Sequence, residues 1–140
     1  MNVAELQRRF DEEAANGYVI GPDRRESDVY CLTQKGSHWE VCYTERGLDQ
    51  SPLFTSGSEQ EACDYFFKYM MSFRHDHCAG FFRSKTAADA FHVKLEAMRL
   101  SPWQDKIPYG GLNEPRYRVL VAGKAIFAVR AAFGAVPVRD

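Results

Sequence analysis

Polar and apolar residues alternate most regularly over positions 28–45, on both sides of Gly36-Ser37. Glycine at the first central position suits a two-residue type II′ hairpin turn. The register such a turn imposes sets Leu32 opposite Val41, Tyr30 opposite Tyr43 and Gln34 opposite Trp39 on one face. On the other face Thr33 meets Glu40, Lys35 meets His38, and Cys31 falls opposite Cys42. One apolar and one polar face is the pattern of a half-buried antiparallel hairpin.

Helical spacing and caps predict the flanking elements. Asn2 with Glu5 three residues on has the spacing of a capping box, and Val3, Leu6 and Phe10 form one stripe. They predict a helix running to about Asn16 and ended by Gly17. Ile20-Gly21-Pro22-Asp23-Arg24-Arg25-Glu26-Ser27 reads as a polar loop. After a turn at Gly47, residues 52–55 suit a short third strand, and Ser58-Glu59-Gln60-Glu61 is a second capping box. The helix it opens carries Tyr65, Phe66, Phe67, Tyr69, Met70, Met71 and Phe73, apolar nearly all round, as for a helix lying across a sheet.

Farther along, residues 80–83 suit a strand, and Ser84 caps a helix to about Leu100 with Ala87, Ala90, Phe91, Leu95 and Met98 at helical spacing. Pro102, Pro108, Gly110, Gly111 and Pro115 mark a long irregular loop. Residues 116–122 read as a strand with Tyr117, Val119 and Val121 on one face. Gly123 then turns the chain into 124–133, a closing helix or a last strand, with alanine content favouring the helix. The expectation is an α+β fold in one domain over residues 1–140. A mainly antiparallel sheet would carry an N-terminal helix and two or three further helices.

With 45% apolar and 26% charged residues, the composition excludes an obligatorily disordered chain. No window approaches the ~18–20 uninterrupted apolar residues of a membrane span. Met1-Asn2-Val3-Ala4-Glu5-Leu6-Gln7-Arg8-Arg9 has no apolar core for a secretory signal, so a cytoplasmic protein with reduced thiols is expected. Net charge is −1, but residues 1–70 carry 13 acids against 7 bases and residues 71–140 carry 6 acids against 11 bases. If the halves stay apart, that asymmetry steers a charged partner; if they interleave, it cancels. No run of Lys and Arg is dense enough to imply nucleic acid.

Catalytic chemistry is sparse. Cys31, Cys42, Cys63 and Cys78 form no CxxC pair. His75-Asp76-His77-Cys78 holds metal-ligand residue types without a second ligand pair nearby, and a helix C-terminus is the plainer reading. Asp89 and His92 are spaced to touch on one helix, with no nucleophile to serve. Tyr109-Gly110-Gly111-Leu112 lacks phosphate-cradling spacing. No enzyme activity, metal or cofactor is expected. Trp103, Tyr109, Arg116 and Arg118 gather around the long loop and are the residue types that anchor protein contacts, unless the rings fold back onto the core.

The segments Tyr30-Cys31-Leu32, Trp39-Glu40-Val41-Cys42-Tyr43-Thr44-Glu45-Arg46-Gly47 and Glu59-Gln60-Glu61-Ala62-Cys63 resemble a family of small bacterial immunity proteins. Those proteins accompany polymorphic toxins of the contact-dependent growth inhibition type. Gly80-Phe81-Phe82, Asp105-Lys106-Ile107-Pro108-Tyr109-Gly110-Gly111 and Arg116-Tyr117-Arg118-Val119 look like the same family's C-terminal portion. The resemblance implies a non-enzymatic cytoplasmic protein that binds the C-terminal domain of one cognate toxin, with no nucleic acid or membrane partner. It carries no binding residue over. A cationic toxin domain would favour the acidic Glu40, Glu45 and Asp49. An aromatic and basic contact would use Trp103, Tyr109, Arg116 and Arg118. The competing class is a small ligand-binding or metal-dependent enzyme domain.

Overall fold

Asn2 starts the first helix as its spacing requires: its side chain accepts the Glu5 N–H at 2.9 Å, and α1 runs Val3–Glu12. The helix stops short of Gly17. Ala14 adopts a left-handed conformation (φ 54°), so Ala15 N–H reaches the Phe10 carbonyl at 2.9 Å and Ala14 N–H the Asp11 carbonyl at 3.2 Å. These are the paired bonds of a Schellman ending, with alanine where glycine is usual. Gly17 (φ 75°) serves the next turn instead, into a short strand, β1 (Tyr18–Ile20).

The computed structural model describes residues 1–21, 28–46 and 48–140. Of the polar loop expected over residues 20–27, Ile20 instead ends β1, and residues 22–27, like the turn at Gly47, lie outside the described residues. The chain divides into two compact units, Met1–Phe73 and Arg74–Asp140. The boundary falls where the net charge changes sign, because residues 71–73 are uncharged: the first unit carries net −6 and the second +5.

In the first unit β2 (Val29–Lys35) and β3 (His38–Glu45) form the expected hairpin, with Leu32 opposite Val41 and every other pair in the predicted register. Gly36 takes φ 61° at the turn. β1 lies parallel to β2, while β4 (Leu48–Asp49) and β5 (Phe54–Ser56) pair antiparallel with different stretches of β3. Ser58 accepts the Glu61 N–H at 3.2 Å and opens α2 (Glu59–Met71). Leu32 and Val41 are fully buried with Leu6, Phe10, Ala62, Cys63, Phe66 and Met70 in one core between the sheet and both helices.

Two expectations change here. α2 is not apolar all round, since Glu61, Asp64 and Lys68 lie exposed opposite its buried side. The second hairpin face is not solvated throughout either: Cys31, Thr33, Cys42 and Thr44 are buried. Their polar atoms are satisfied locally, which is what permits burial. Cys31 Sγ lies 3.1 Å from Thr44 Oγ1, Thr44 donates to Asp49 Oδ1 at 3.2 Å, and Thr33 donates to the Gly21 carbonyl at 3.4 Å. Cys31 and Cys42 face each other as free thiols.

The second unit runs β6 (Asp76–Phe82), α3 (Lys85–Ala97), β7 (Trp103–Ile107), β8 (Arg116–Ala122), α4 (Ala125–Phe133) and β9 (Val138–Arg139). Its sheet has the order β7-β8-β6-β9. β6 and β7 are joined through α3 and both run antiparallel to β8, which lies between them, a split βαβ arrangement. β7 occupies much of what reads as irregular loop. Prolines bound it on both sides, and Trp103 and Ile107 are its only apolar residues. Residues 124–133 resolve in favour of the helix. The fold is thus α+β and mainly antiparallel, its strands divided between two sheets.

Ser84 caps α3 by accepting the Ala87 N–H at 3.0 Å. The stripe that α3 buries is Ala88, Phe91 and Leu95; Ala90 and Met98 are exposed. Val119 and Val121 are fully buried, and Gly80 pairs with Val119 after a register shift between Cys78 and Gly80. A Cβ on Gly80 would stand 2.8 Å from the Phe91 ring, so this sheet face is the one that α3 covers. The alternate residues Arg116, Arg118 and Leu120 of β8, with Trp103, Asp105 and Ile107 of β7 and Phe81 of β6, occupy the opposite face.

Candidate functional site

On that opposite face β8 presents two arginines with different fates. Arg118 stands directly across from Asp105 and clamps it: Nε–H donates to Oδ1 at 2.7 Å and Nη2–H to Oδ2. The carboxylate holds the Arg118 guanidinium above its ordinary pKa, so the charge is fixed and already paired. Trp103 is likewise committed. Its indole N–H donates to Asp76 Oδ1 at 3.1 Å, and the Arg74 guanidinium lies 5.3 Å from its ring.

Arg116 and Tyr109 do come together. Arg116 lies over the Tyr109 ring at 4.9 Å, Tyr109 meets the Phe81 ring edge-on at 5.1 Å, and Arg139 lies over Phe81 at 4.8 Å. Tyr109 nevertheless remains 63% exposed, so the stack is a surface feature and not part of the core. Phe81, Arg83, Tyr109, Arg116, Arg139 and Asp140 line a shallow cavity of about 180 Å³. An adjoining hollow of about 370 Å³ shares Arg83 and Arg116 and adds Asn113, Glu114 and Pro115.

Sequence reasoning found Tyr109 and Arg116 and missed Phe81, Arg83 and Arg139. The strand reading of 80–83 already held a signal for two of them, since Phe81 and Arg83 recur at the spacing of one strand face. Nothing local marks Arg139. It reaches the site because β9 pairs with β6, setting Arg139 beside Phe81.

The acidic candidates are arranged differently. Lys35 Nζ lies 3.1 Å from Glu40 Oε2 and 3.5 Å from Asp49 Oδ2, and His38 Nε2 lies 3.1 Å from Glu40 Oε1. The His38 and Lys35 hydrogen bonds hold the Glu40 carboxyl below the usual carboxylate range. Glu45 stands apart from them at the end of β3 and is exposed. Glu40 and Asp49 are therefore joined through Lys35, while Glu45 lies outside the cluster.

The remaining chemical candidates separate. α2 ends at Met71, so residues 75–78 are not a helix C-terminus; His75 is buried and 76–78 begin β6. Among the described residues no three of His, Cys, Asp and Glu gather as a metal site. Asp89 bonds Lys85 at 2.5 Å and Gln104 at 3.1 Å, while His92 bonds Glu96 at 3.0 Å, so the expected Asp89 and His92 contact is replaced by other partners. No helix among the described residues is long and apolar enough to cross a membrane. No family model, curated protein or solved structure matches this chain.

Proposed function

We propose that this protein is a non-enzymatic immunity protein that binds the C-terminal domain of one cognate toxin and neutralises it by direct contact. The observation that carries this reading is the exposed Tyr109 held between Arg116 and Phe81. Tyrosine and arginine are the residue types over-represented among energetic anchors of protein interfaces. Rings and guanidiniums already stacked lose less side-chain freedom on binding than free ones. Support also comes from the resemblance of both halves of the chain to immunity-protein segments.

The basic unit is the better candidate for the contact. Glu40 and Asp49 spend their charge on Lys35 and His38 within the fold. Arg116 has no carboxylate within 4 Å among the described residues. Binding in a cytoplasmic setting would thus use Tyr109 and Arg116, with Arg118 and Trp103 stiffening the sheet beneath.

The test is co-expression with the C-terminal domain of a toxin encoded immediately beside this chain. A stable complex and rescued growth are expected, with Tyr109→Ala or Arg116→Ala weakening the complex by tenfold or more. A well-folded protein that gives neither complex nor rescue would sink the reading.

A further inference from the structure

Three arginines line the Tyr109 cavity against one acidic side chain, Asp140, which forms an ion pair with none of them among the described residues. Arg83, Arg116 and Arg139 all line it, and none is in an ion pair among the described residues. Two acidic residues are nearby. Asp140 uses both side-chain oxygens to accept the Arg83 backbone N–H at 3.0 Å each, and Glu114 lines only the adjoining hollow. The Arg83 side chain itself is exposed and makes no bond among the described residues.

The orientation of two of the three cations is already set. Arg116 Cζ lies over the Tyr109 ring and Arg139 Cζ over the Phe81 ring, while Arg116 Nη1 donates to the Glu114 and Pro115 carbonyls at 3.2 Å and 3.1 Å. A guanidinium stacked by its face keeps its edge donors for a planar two-oxygen acceptor. The Nε and Nη2 of Arg116 make no hydrogen bond among the described residues. Unlike Arg118, whose carboxylate is supplied by the neighbouring strand, these cations have no carboxylate partner among the described residues.

We infer that this cavity is a recognition cleft for an acidic peptide segment of the partner, its carboxylates paired by Arg83, Arg116 and Arg139 and its backbone laid against Tyr109 and Phe81. The inference deepens the toxin-binding reading and rests on it for the partner's identity alone. Several carboxylates along one segment match three separated cations better than one small anion does, and the aromatic walls offer apolar contact that a free anion cannot use.

The probe is a hexaglutamate peptide titrated into the full chain and followed by backbone amide shifts, with hexalysine and inorganic phosphate as controls. Hexaglutamate should shift the amides of Phe81, Arg83, Tyr109, Arg116 and Arg139 and bind at least tenfold more tightly than phosphate; hexalysine should leave them unmoved. Arg116→Ala with Arg139→Ala should weaken the peptide at least tenfold, and Arg116→Lys should recover only part of that loss. Arg83→Ala touches an exposed side chain and so cannot act through misfolding; it should weaken binding threefold or more. Unshifted cavity amides, peptide affinity unchanged in the variants, or phosphate binding as tightly as peptide would each overturn the inference. No toxin is used, so a cleft that binds peptide in a protein that rescues no cell would leave the cleft standing and remove the immunity reading.

Discussion

Arg118 and Asp105 are cross-strand partners on β8 and β7, and their guanidinium and carboxylate meet edge to edge through two hydrogen bonds. The pair ties an edge strand of few apolar residues to the centre of its sheet, two residues from Arg116. Both side chains are partly exposed, at 31% and 28%, so solvent discounts the interaction. Asp105→Asn should lower unfolding stability by about 1 kcal/mol, the scale of a charged hydrogen bond reduced by partial exposure. Urea midpoints measured with and without salt check this. The gap between variant and parent should narrow as salt rises, and an unchanged midpoint would show the pair to be idle.

Gly80 has no room for a methyl group. A Cβ there would stand 2.5 Å from Phe82 Cε2 and 2.8 Å from Phe91 Cδ2, both on buried rings in mutual contact. Gly80→Ala should therefore destabilise the second unit by about 1–3 kcal/mol, the usual cost of overpacking. Thermal unfolding measures it. Adding Phe91→Leu should recover part of the loss, because the smaller side chain vacates the space.

Two helices end on residues that resist their own conformation. Ala14 (φ 54°) and Arg99 (φ 61°) both hold the left-handed position of a Schellman ending. At the second, Leu100 N–H reaches the Leu95 carbonyl at 3.1 Å and Arg99 N–H the Glu96 carbonyl at 2.9 Å. Side chains there cost about 1–2 kcal/mol that glycine avoids, against the greater freedom glycine gives the unfolded chain. Ala14→Gly and Arg99→Gly should each raise stability by about 0.5–1 kcal/mol on that balance. Either variant melting below the parent would contradict the assignment.

Acid should weaken the fold partly through Glu40 and Asp89. Both carboxyls are held low, Glu40 by His38 and Lys35, Asp89 by Lys85 and Gln104. A lowered native pKa contributes stability that is full above the unfolded value of about 4 and is lost as pH falls through the native value. Glu40→Gln and Asp89→Asn should each flatten the fall in urea midpoint between about pH 5 and pH 3. Midpoints that fall in parallel with the parent would exclude these two groups as the source.

Thiol chemistry should be slow in the native state. Burial pushes the Cys63 thiol up to about 11, and burial also raises Cys78, which is only partly covered. Thiolate is the nucleophile, so iodoacetamide at neutral pH should label Cys78 before Cys31, Cys42 or Cys63. Peptide mass spectrometry reads the order. Cys63 labelled as fast in buffer as in urea would show its site to be open.

The hairpin was legible to the residue because its information is local. A two-residue turn with Gly36 at its first position admits one register, and the alternation of Tyr30, Leu32, Val41 and Tyr43 agrees with it. The caps at Asn2, Ser58 and Ser84 were legible for the same reason, each acting on an N–H three residues away. The charge asymmetry could be counted along the chain, and its meaning changed once each sign proved to belong to its own compact unit.

Contacts distant in sequence decided the rest. β1, β7 and β9 hold two to five residues each, too few for a periodicity to emerge, and they exist because longer strands offer them hydrogen bonds. Thr44 and Cys31 look like surface positions until Asp49 and each other satisfy their polar atoms. The candidate cleft is the extreme case: Arg83 and Asp140 are 57 positions apart and share two hydrogen bonds. Side chains three or four residues apart interact whatever the rest of the chain does, whereas a site assembled from β6, β8 and β9 exists only after loop-closure entropy has been overcome by the folded sheet.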